Sequence, residues 1–423
     1  MRLNGAYFSF EVPDEWQENG EEGIVIAAAD KSIYRFIPNL VLRESRIKEN
    51  SPDILASISQ SNLAGLSRQY HGAYIFHVEA LPDHSAHPGP PERRRLWGIS
   101  PGKLSDGSWV TLLMIQDLLV VGDAVAELTA TLPLAAWQRE SPYEAFLMSL
   151  QPLPVEQQGV LHTTVDVAPA TLDEWATERD KAPREALAVQ VKPDLAPPWA
   201  TISLTKADFD AFERMARGHV RFRADPSEIV DRRLMAANLF DELGKPTEIG
   251  LWIRKIMLRG NSWKAEKAMQ YPATFRVWAM GNSSLIVTTS PDAGAGLMQC
   301  SIEYCPTEDI GRHLLVWSGL QPSWAMKFTM KISKQAFENK IDGDVCPSAV
   351  FEDDAAVFCR ESWGFVLLSD SRGGGGFSWV YAPTRGAAIL EACGDADLVL
   401  SRDDSKPFWQ LLVGAAFVMS LGE

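Results

Sequence analysis

Few side chains in this sequence fall into spacings that do chemistry, and each such pattern has a plainer use. Asp353-Asp354 and Asp403-Asp404 are paired acids. Neighbours in sequence do not converge on one point in a strand or helix, so solvated turns are expected rather than an acid–base dyad. Cys300 and Cys305 lie five apart with no second pair and no histidine cluster nearby, whereas tetrahedral zinc takes four convergent ligands. His84 and His87 share a proline-rich loop, which offers at most an adventitious metal contact. Gly373-Gly374-Gly375-Gly376 lacks the Lys-Ser/Thr of a P-loop and the spacing of a dinucleotide fingerprint. Set between Val366-Leu367-Leu368 and Phe377-Ser378-Trp379-Val380-Tyr381, it reads as a hairpin loop. No Gly-x-Ser-x-Gly elbow is present, and no serine or cysteine nucleophile stands out. Arg93-Arg94-Arg95 reads as a solvated strand edge, with a local acidic contact as the sharper alternative. The expectation is a protein without catalytic residues, cofactor or metal.

The chain that carries these groups has 423 residues, 40 Lys+Arg against 55 Asp+Glu and a net charge of -15. At 46% hydrophobic and 22% charged residues it has the composition of a folded, soluble protein of two or three domains. The acidic balance argues against general nucleic-acid binding and against adhesion to anionic lipid. Five cysteines (Cys300, Cys305, Cys346, Cys359 and Cys393) at irregular spacing do not make a disulfide framework. The first residues turn polar by Glu11, unlike a secretory leader. The apolar run Phe408 to Leu421 is 14 residues long, short of the roughly 20 that span a bilayer. A buried terminal helix and a cytoplasmic protein are expected.

Residues 1–154 read as an α+β domain. Strands are expected at Tyr7 to Val12, Gly23 to Ala28, Asn39 to Ile47, Ala73 to Leu81, Arg94 to Ile99, Trp109 to Gln116 and Ala124 to Thr131. Ser51-Pro52-Asp53 has helix-start chemistry, and a short helix over Pro142 to Leu150 closes the domain. Residues 155–199 form a connector with several prolines. Residues 200–423 contain an internal repeat, with halves of about 200–322 and 323–423. Ile202-Ser203-Leu204-Thr205-Lys206-Ala207-Asp208-Phe209 matches Met330-Lys331-Ile332-Ser333-Lys334-Gln335-Ala336-Phe337: a strand running into a hydroxyl helix cap, with Phe packing the first turn. Tyr304-Cys305-Pro306-Thr307 matches Tyr381-Ala382-Pro383-Thr384. Each match follows an aromatic-glycine hairpin, Trp278 to Gly281 and Trp363-Gly364, and each half ends in an apolar helix, around Leu314 and Leu411. The first half spends an extra helical stretch between Asp225 and Tyr271. The fold class expected is α+β: an antiparallel sheet with helices, then a pseudo-two-fold duplicated α+β unit.

The opening Tyr7 to Trp16, with its Val12-Pro13-Asp14-Glu15-Trp16, then Pro38 to Leu42, the helix and Ala124 to Thr131, resemble the PsbP-like fold over about 150 residues. That group includes DcrB- and LpqN-type proteins and the effector-associated (Eag) adaptor chaperones of type VI secretion. The repeated portion resembles EspG-type chaperones of type VII secretion, cytoplasmic proteins built as two quasi-symmetric lobes around a sheet. Neither group is enzymatic, so the resemblance implies a protein client: a secreted effector or an apolar helical segment. Arg372, Phe377 and Trp379, around the glycine loop, are the candidate partner contacts. Two other readings stand beside it: an assembly component, and an enzyme or small-molecule binder with Cys359, His313 or Asp309 lining a crevice between the lobes.

Overall fold

Period-two alternation marks strands such as Asn39–Ile47 and Phe328–Ser333, and near-continuous apolar runs mark the longer Trp109–Val121. The computed structural model describes residues 1–21, 24–28, 36–48, 73–80, 93–105, 107, 109–134, 143–165, 201–268, 273–291, 298–319, 328–343, 345, 347, 353–370, 376–382, 386–402 and 405–421, with Leu55, Ser57, Ile58, Ser61 and Asn62. They divide into two units, 1–165 and 201–421.

The first unit runs β1 (Arg2–Asn4), β2 (Phe8–Glu11), β3 (Gln17–Glu21), β4 (Ile24–Ala28), β5 (Asn39–Ile47), β6 (Tyr74–Ala80), β7 (Arg93–Lys103), β8 (Trp109–Val121), β9 (Ala124–Pro133), α1 (Tyr143–Met148), β10 (Gln151–Pro152) and β11 (Thr164–Val165). The larger sheet has the order β3-β4-β5-β9-β8-β7-β6, with β11 added to β5; the smaller is β1-β2-β10. The helix expected from Ser51 is described at Leu55 and Ile58, which pack on Ile47, Ile75, Leu96 and Leu118. Glu44 on β5 ties the small sheet to the large one. Its buried carboxylate accepts the backbone N–H groups of Ala6, Tyr7 and Phe8 at 2.7, 2.9 and 2.7 Å. Any side chain at Gly5 would run into that carboxylate, so the turn approaches it closely only with glycine.

Two anchors hold α1. Trp16, placed by a turn in which its N–H bonds the Pro13 carbonyl at 3.1 Å, packs on Tyr143 and Phe146 at ring distances of 6.1 and 6.0 Å. The second anchor corrects the solvated-edge reading of Arg93-Arg94-Arg95, since all three are buried. Arg95 lies directly across from Asp117 in the β7–β8 ladder, with Arg93 diagonal to it. Asp117 is fully buried and takes both guanidiniums, Arg95 Nε and Arg93 Nη2 at 2.5 Å each. Arg93 also donates to the Leu147, Met148 and Leu150 carbonyls, the unsatisfied end of α1. Arg95 reaches Glu144 on the same helix at 3.5 Å.

The second unit begins with β12 (Thr201–Thr205), α2 (Lys206–Ala216), α3 (Ile229–Ala236), α4 (Glu248–Arg259), β13 (Asn261–Ala268), β14 (Ala273–Met280), β15 (Ser283–Pro291), β16 (Met298–Pro306) and α5 (Ile310–Ser318). It continues with β17 (Phe328–Ser333), α6 (Lys334–Gly343), α7 (Asp353–Arg360), β18 (Gly364–Asp370), β19 (Gly376–Ala382), β20 (Gly386–Cys393), β21 (Asp397–Arg402) and α8 (Ser405–Leu421). Both runs read strand, helices, four strands, helix. All ten strands join one antiparallel sheet, β12-β16-β15-β14-β13-β18-β19-β20-β21-β17. Each run therefore has its first strand outermost beside its last, and the two second strands meet at the centre.

The cap match falls on equivalent places. Thr205 Oγ1 accepts the Asp208 N–H and Ser333 Oγ accepts the Ala336 N–H, both at 3.2 Å. The tyrosine match does not: Tyr304 lies on β16, the fifth strand of its run, and Tyr381 on β19, the third. Trp363-Gly364 leads into β18 rather than a hairpin. Asn261–Ala268 lies in the stretch expected to be helical but is the central strand β13. Trp263 and Ala265 are buried and Lys264 between them is exposed, a period of two that overrides the helix-forming Lys, Ala and Glu. The C-terminal run forms α8, as expected. It packs on α5, β13, β14 and β20, and Trp263 Nε1 donates to Ser420 Oγ at 3.1 Å. Among the described residues no helix is long and apolar enough to cross a membrane.

Asp117→Asn keeps the shape of the buried cluster but leaves two buried guanidiniums without a carboxylate between them. A loss of about 3–5 kcal/mol of stability is expected, read from the denaturant midpoint at unchanged m value. A loss below about 1 kcal/mol would mean that Glu144 and the helix carbonyls suffice.

Candidate functional site

α4 carries more apolar residues than one face can bury: Ile249, Leu251, Trp252, Ile253, Ile256, Met257 and Leu258 within Glu248–Arg259. Its N-terminus is fixed by Thr247, whose Oγ1 accepts the Gly250 N–H at 3.1 Å and donates to the Asn238 carbonyl at 2.6 Å. A Cβ at Gly250 would lie 2.2 Å from the Leu239 carbonyl oxygen, so only glycine lets the helix sit this close to the preceding turn. Held so, α4 presses Ile253, Ile256 and Met257 into a core with Trp278, Leu285, Val287 and Ile302.

Beside that core lies an apolar groove of about 540 Å³. Ile202 and Ile302 are directly opposite in the β12–β16 ladder, and Leu285 and Tyr304 in the β15–β16 ladder, so these four side chains share the sheet face that forms its floor. Ile249, Trp252 and Ile253 form the wall, and among the described residues Glu248 is the only carboxylate lining it. Trp252 stands edge-on to Tyr304, ring centroids 4.8 Å apart, and Tyr304 Oη lies 3.3 Å from Ser283 Oγ. Ile249 and Tyr304 remain 40% and 42% exposed. The groove offers an apolar surface on rigid elements with polar atoms only at its margin, an arrangement suited to binding.

The residues singled out in the sequence lie elsewhere. Trp379 is fully buried, packed under Phe408 of α8 at 5.6 Å, which corrects its reading as an exposed contact. β19 turns it toward the sheet face that α8 covers. Phe377 is half-buried and stacks on Trp379 at 5.2 Å. Arg372, His84, His87, Cys346, Asp403 and Asp404 lie outside the described residues. Cys359 is buried beside Met330 Sδ at 3.7 Å. Nothing in the local sequence marks Ile249, Trp252 and Tyr304 as groove residues, because exposure is decided by packing. The nearest signal was the surplus of apolar residues on α4.

Two of the candidate pocket residues do come together, on the opposite face of the sheet from the groove. His313 Nδ1 on α5 lies 3.1 Å from Glu303 Oε2 on β16, in a buried cluster with Asp309, Arg312 and Cys305. Burial pushes His313 below the ordinary histidine range, against the pull of Glu303. The ring is therefore neutral and donates Nδ1–H to the carboxylate. Burial alone would raise Glu303, but the hydrogen bonds from His313 and Ser301 and the nearby Arg312 charge outweigh it and hold the carboxyl low. Burial pushes the Cys305 thiol far up and Cys300 up to about 12, so neither is a nucleophile at neutral pH. Among the described residues no group of His, Cys, Asp and Glu could hold a metal ion.

No family model and no curated protein sequence matches the chain. In structure it is similar to the Ran-binding protein Mog1p of Saccharomyces cerevisiae, at 8% identity and a TM-score of 0.27 over 38% of this chain and 97% of that one. It is similar to the cyanobacterial PsbP (CyanoP) of Synechocystis, at 11% identity and a TM-score of 0.25 over 36% of this chain and 92% of that one. It is similar also to LpqN, involved in cell envelope biogenesis of Mycobacterium tuberculosis, at 14% identity and a TM-score of 0.23 over 35% of this chain and 83% of that one.

The buried His313 has a pH signature. Its folded pKa lies below its unfolded one, so the unfolded chain takes up the proton first and stability falls as pH drops below about 6.5. Glu303 adds a further loss at lower pH, as it is protonated through its depressed folded value. Between pH 7.5 and 5.5, His313→Asn is expected to unfold with a flatter pH dependence than the parent, followed by thermal melts. Parallel curves would show that His313 is not held neutral.

Proposed function

We propose that this protein is a non-enzymatic, cytoplasmic protein-binding adaptor: a chaperone for secreted or membrane-active clients of a specialised bacterial secretion system. In this reading it shields an apolar helical segment of the client in the groove between α4 and the sheet. The observation that carries the reading is the groove itself. Ile249 and Tyr304 stay exposed and Trp252 half-buried between them, on elements fixed by Thr247, Gly250 and the ladder pairs beneath. A soluble protein leaves large aromatic and aliphatic side chains clustered at its surface where a partner covers them. The resemblance of the opening residues to PsbP-like proteins, and of the repeated portion to EspG-type chaperones, points the same way.

A second reading rests on size. A volume of about 540 Å³ also falls in the range of small-molecule pockets, and an apolar ligand with one polar end would find Glu248 or the Tyr304 hydroxyl at the margin.

Affinity purification from the native host, of the parent and of Ile249→Glu and Trp252→Ala, separates the two. The chaperone reading expects a secreted or membrane-active protein at stoichiometric yield with the parent, reduced at least tenfold in both variants while their melting temperatures stay within a few degrees. Undiminished recovery in the variants, or a parent that brings down no such protein, would overturn it. A small apolar compound extracted from the parent alone would establish the second reading.

A further inference from the structure

The helical cap over the groove differs in charge from the rest of the protein. Lys206 to Arg259 holds eleven Lys and Arg against nine Asp and Glu, a net of +2 in a chain whose total is -15. Much of the acid there is already engaged. Asp208 is bound by Arg233 at 2.5 Å, and Glu213 by Arg276 and Arg217 at 2.6 and 2.8 Å. Several of the bases are not engaged. Among the described residues Lys255 and Arg259 make no ion pair or side-chain hydrogen bond, and both are exposed. Arg254, between Trp252 and Lys255, is turned away: its Nε donates to the Ala216 carbonyl at 3.2 Å and its guanidinium covers Phe222 at 4.6 Å.

On α4 the free bases continue the apolar wall. Leu251, Lys255, Leu258 and Arg259 stand at i, i+4, i+7 and i+8, one outward stripe of the helix. Leu251 and Leu258 are 49% and 52% exposed. The stripe runs from the groove, with Glu248 at its start, past Lys255 to Arg259 at its end, over roughly 16 Å. A partner meets apolar groups and cations recurring every three to four residues. A helix laid alongside repeats at that interval and can match both over its length.

Resting on the docking reading above, we infer that the segment received here is an acidic amphipathic helix. Its apolar side chains enter the groove, and its carboxylates lie toward the Lys255–Arg259 end and away from Glu248. Charges beyond about 8 Å are screened at physiological salt, so the nearby Lys255 and Arg259 govern recognition although the molecule as a whole is strongly acidic. The acidic remainder would repel such a segment elsewhere and so favours this one face.

The test uses the full-length protein and two labelled 18-residue peptides read by fluorescence anisotropy. Both peptides carry the same Leu/Ile stripe; the polar face is Glu in one and Lys in the other. The Glu peptide is expected to bind at least tenfold more tightly, and to weaken about fivefold or more between 50 and 500 mM salt. Lys255→Glu/Arg259→Glu, both at exposed positions, is expected to reverse the preference, and Trp252→Ala to weaken both peptides. Equal binding of the two peptides, a preference for Lys, or no effect of the double reversal overturns the acidic assignment and leaves the groove as a docking site. Failure of both peptides to bind, or binding indifferent to Trp252→Ala, removes the docking reading and this inference with it.

Discussion

Six residue pairs at the centre of a sheet organise the second unit. β13 and β18 run antiparallel from Trp263 opposite Asp370 to Ala268 opposite Phe365, and through them two five-strand runs become one ten-stranded sheet. β13 and β18 are the second strand of each run, the first strands β12 and β17 stand at the two edges, and the closing helices α5 and α8 pack on each other. Trp263 belongs to this seam, and its indole also anchors the end of α8 through Ser420. A slip of one residue between β13 and β18 would put Trp263 and Leu368 on opposite faces.

Helices are fastened to the sheets and to one another by a recurring device, a carboxylate surrounded by side-chain donors. Asp117 serves α1 in the first unit, Asp208 joins α2 to α3, and Glu303 holds α5 through His313. Such sites cost desolvation and are worth little as net attraction, but half of one is worse than none. They act as selectors of geometry. In the second run Ala336 stands where Asp208 stands in the first, and the hydroxyl cap works without the carboxylate.

The groove is a by-product of that asymmetry. The first run places three helices, α2 to α4, between its first two strands where the second places α6 and α7, and α4 is held in place by a threonine cap and a glycine contact. Only part of its apolar surface fits against the core. What remains outside is a row of leucine, isoleucine and tryptophan beside uncommitted bases, on an element too well anchored to fold the row away. An exposed apolar surface on a rigid support is what a protein-binding function requires.

Much of the architecture was legible from local pattern. Strands β2 and β4 to β9 of the first unit, the hydroxyl caps opening each run and the terminal helix follow from periodicity and capping, which act over a few residues; the short β1, β3, β10 and β11 carry too little pattern to show. The α+β class followed from them. Three features did not. β13 was hidden because Lys, Ala and Glu favour helix locally and only pairing on both sides makes it a strand. Arg93 and Arg95 looked like surface because their carboxylate is 22–24 residues away in sequence. Trp379 looked available for contact until α8 covered it. The binding face belongs to the same group: composition shows that α4 has surplus apolar residues, but which of them stay outside depends on contacts among strands and helices far apart in the chain. Local sequence determined the elements and their caps through short-range sterics and hydrogen bonds; burial, and with it the site, was decided only when those elements packed.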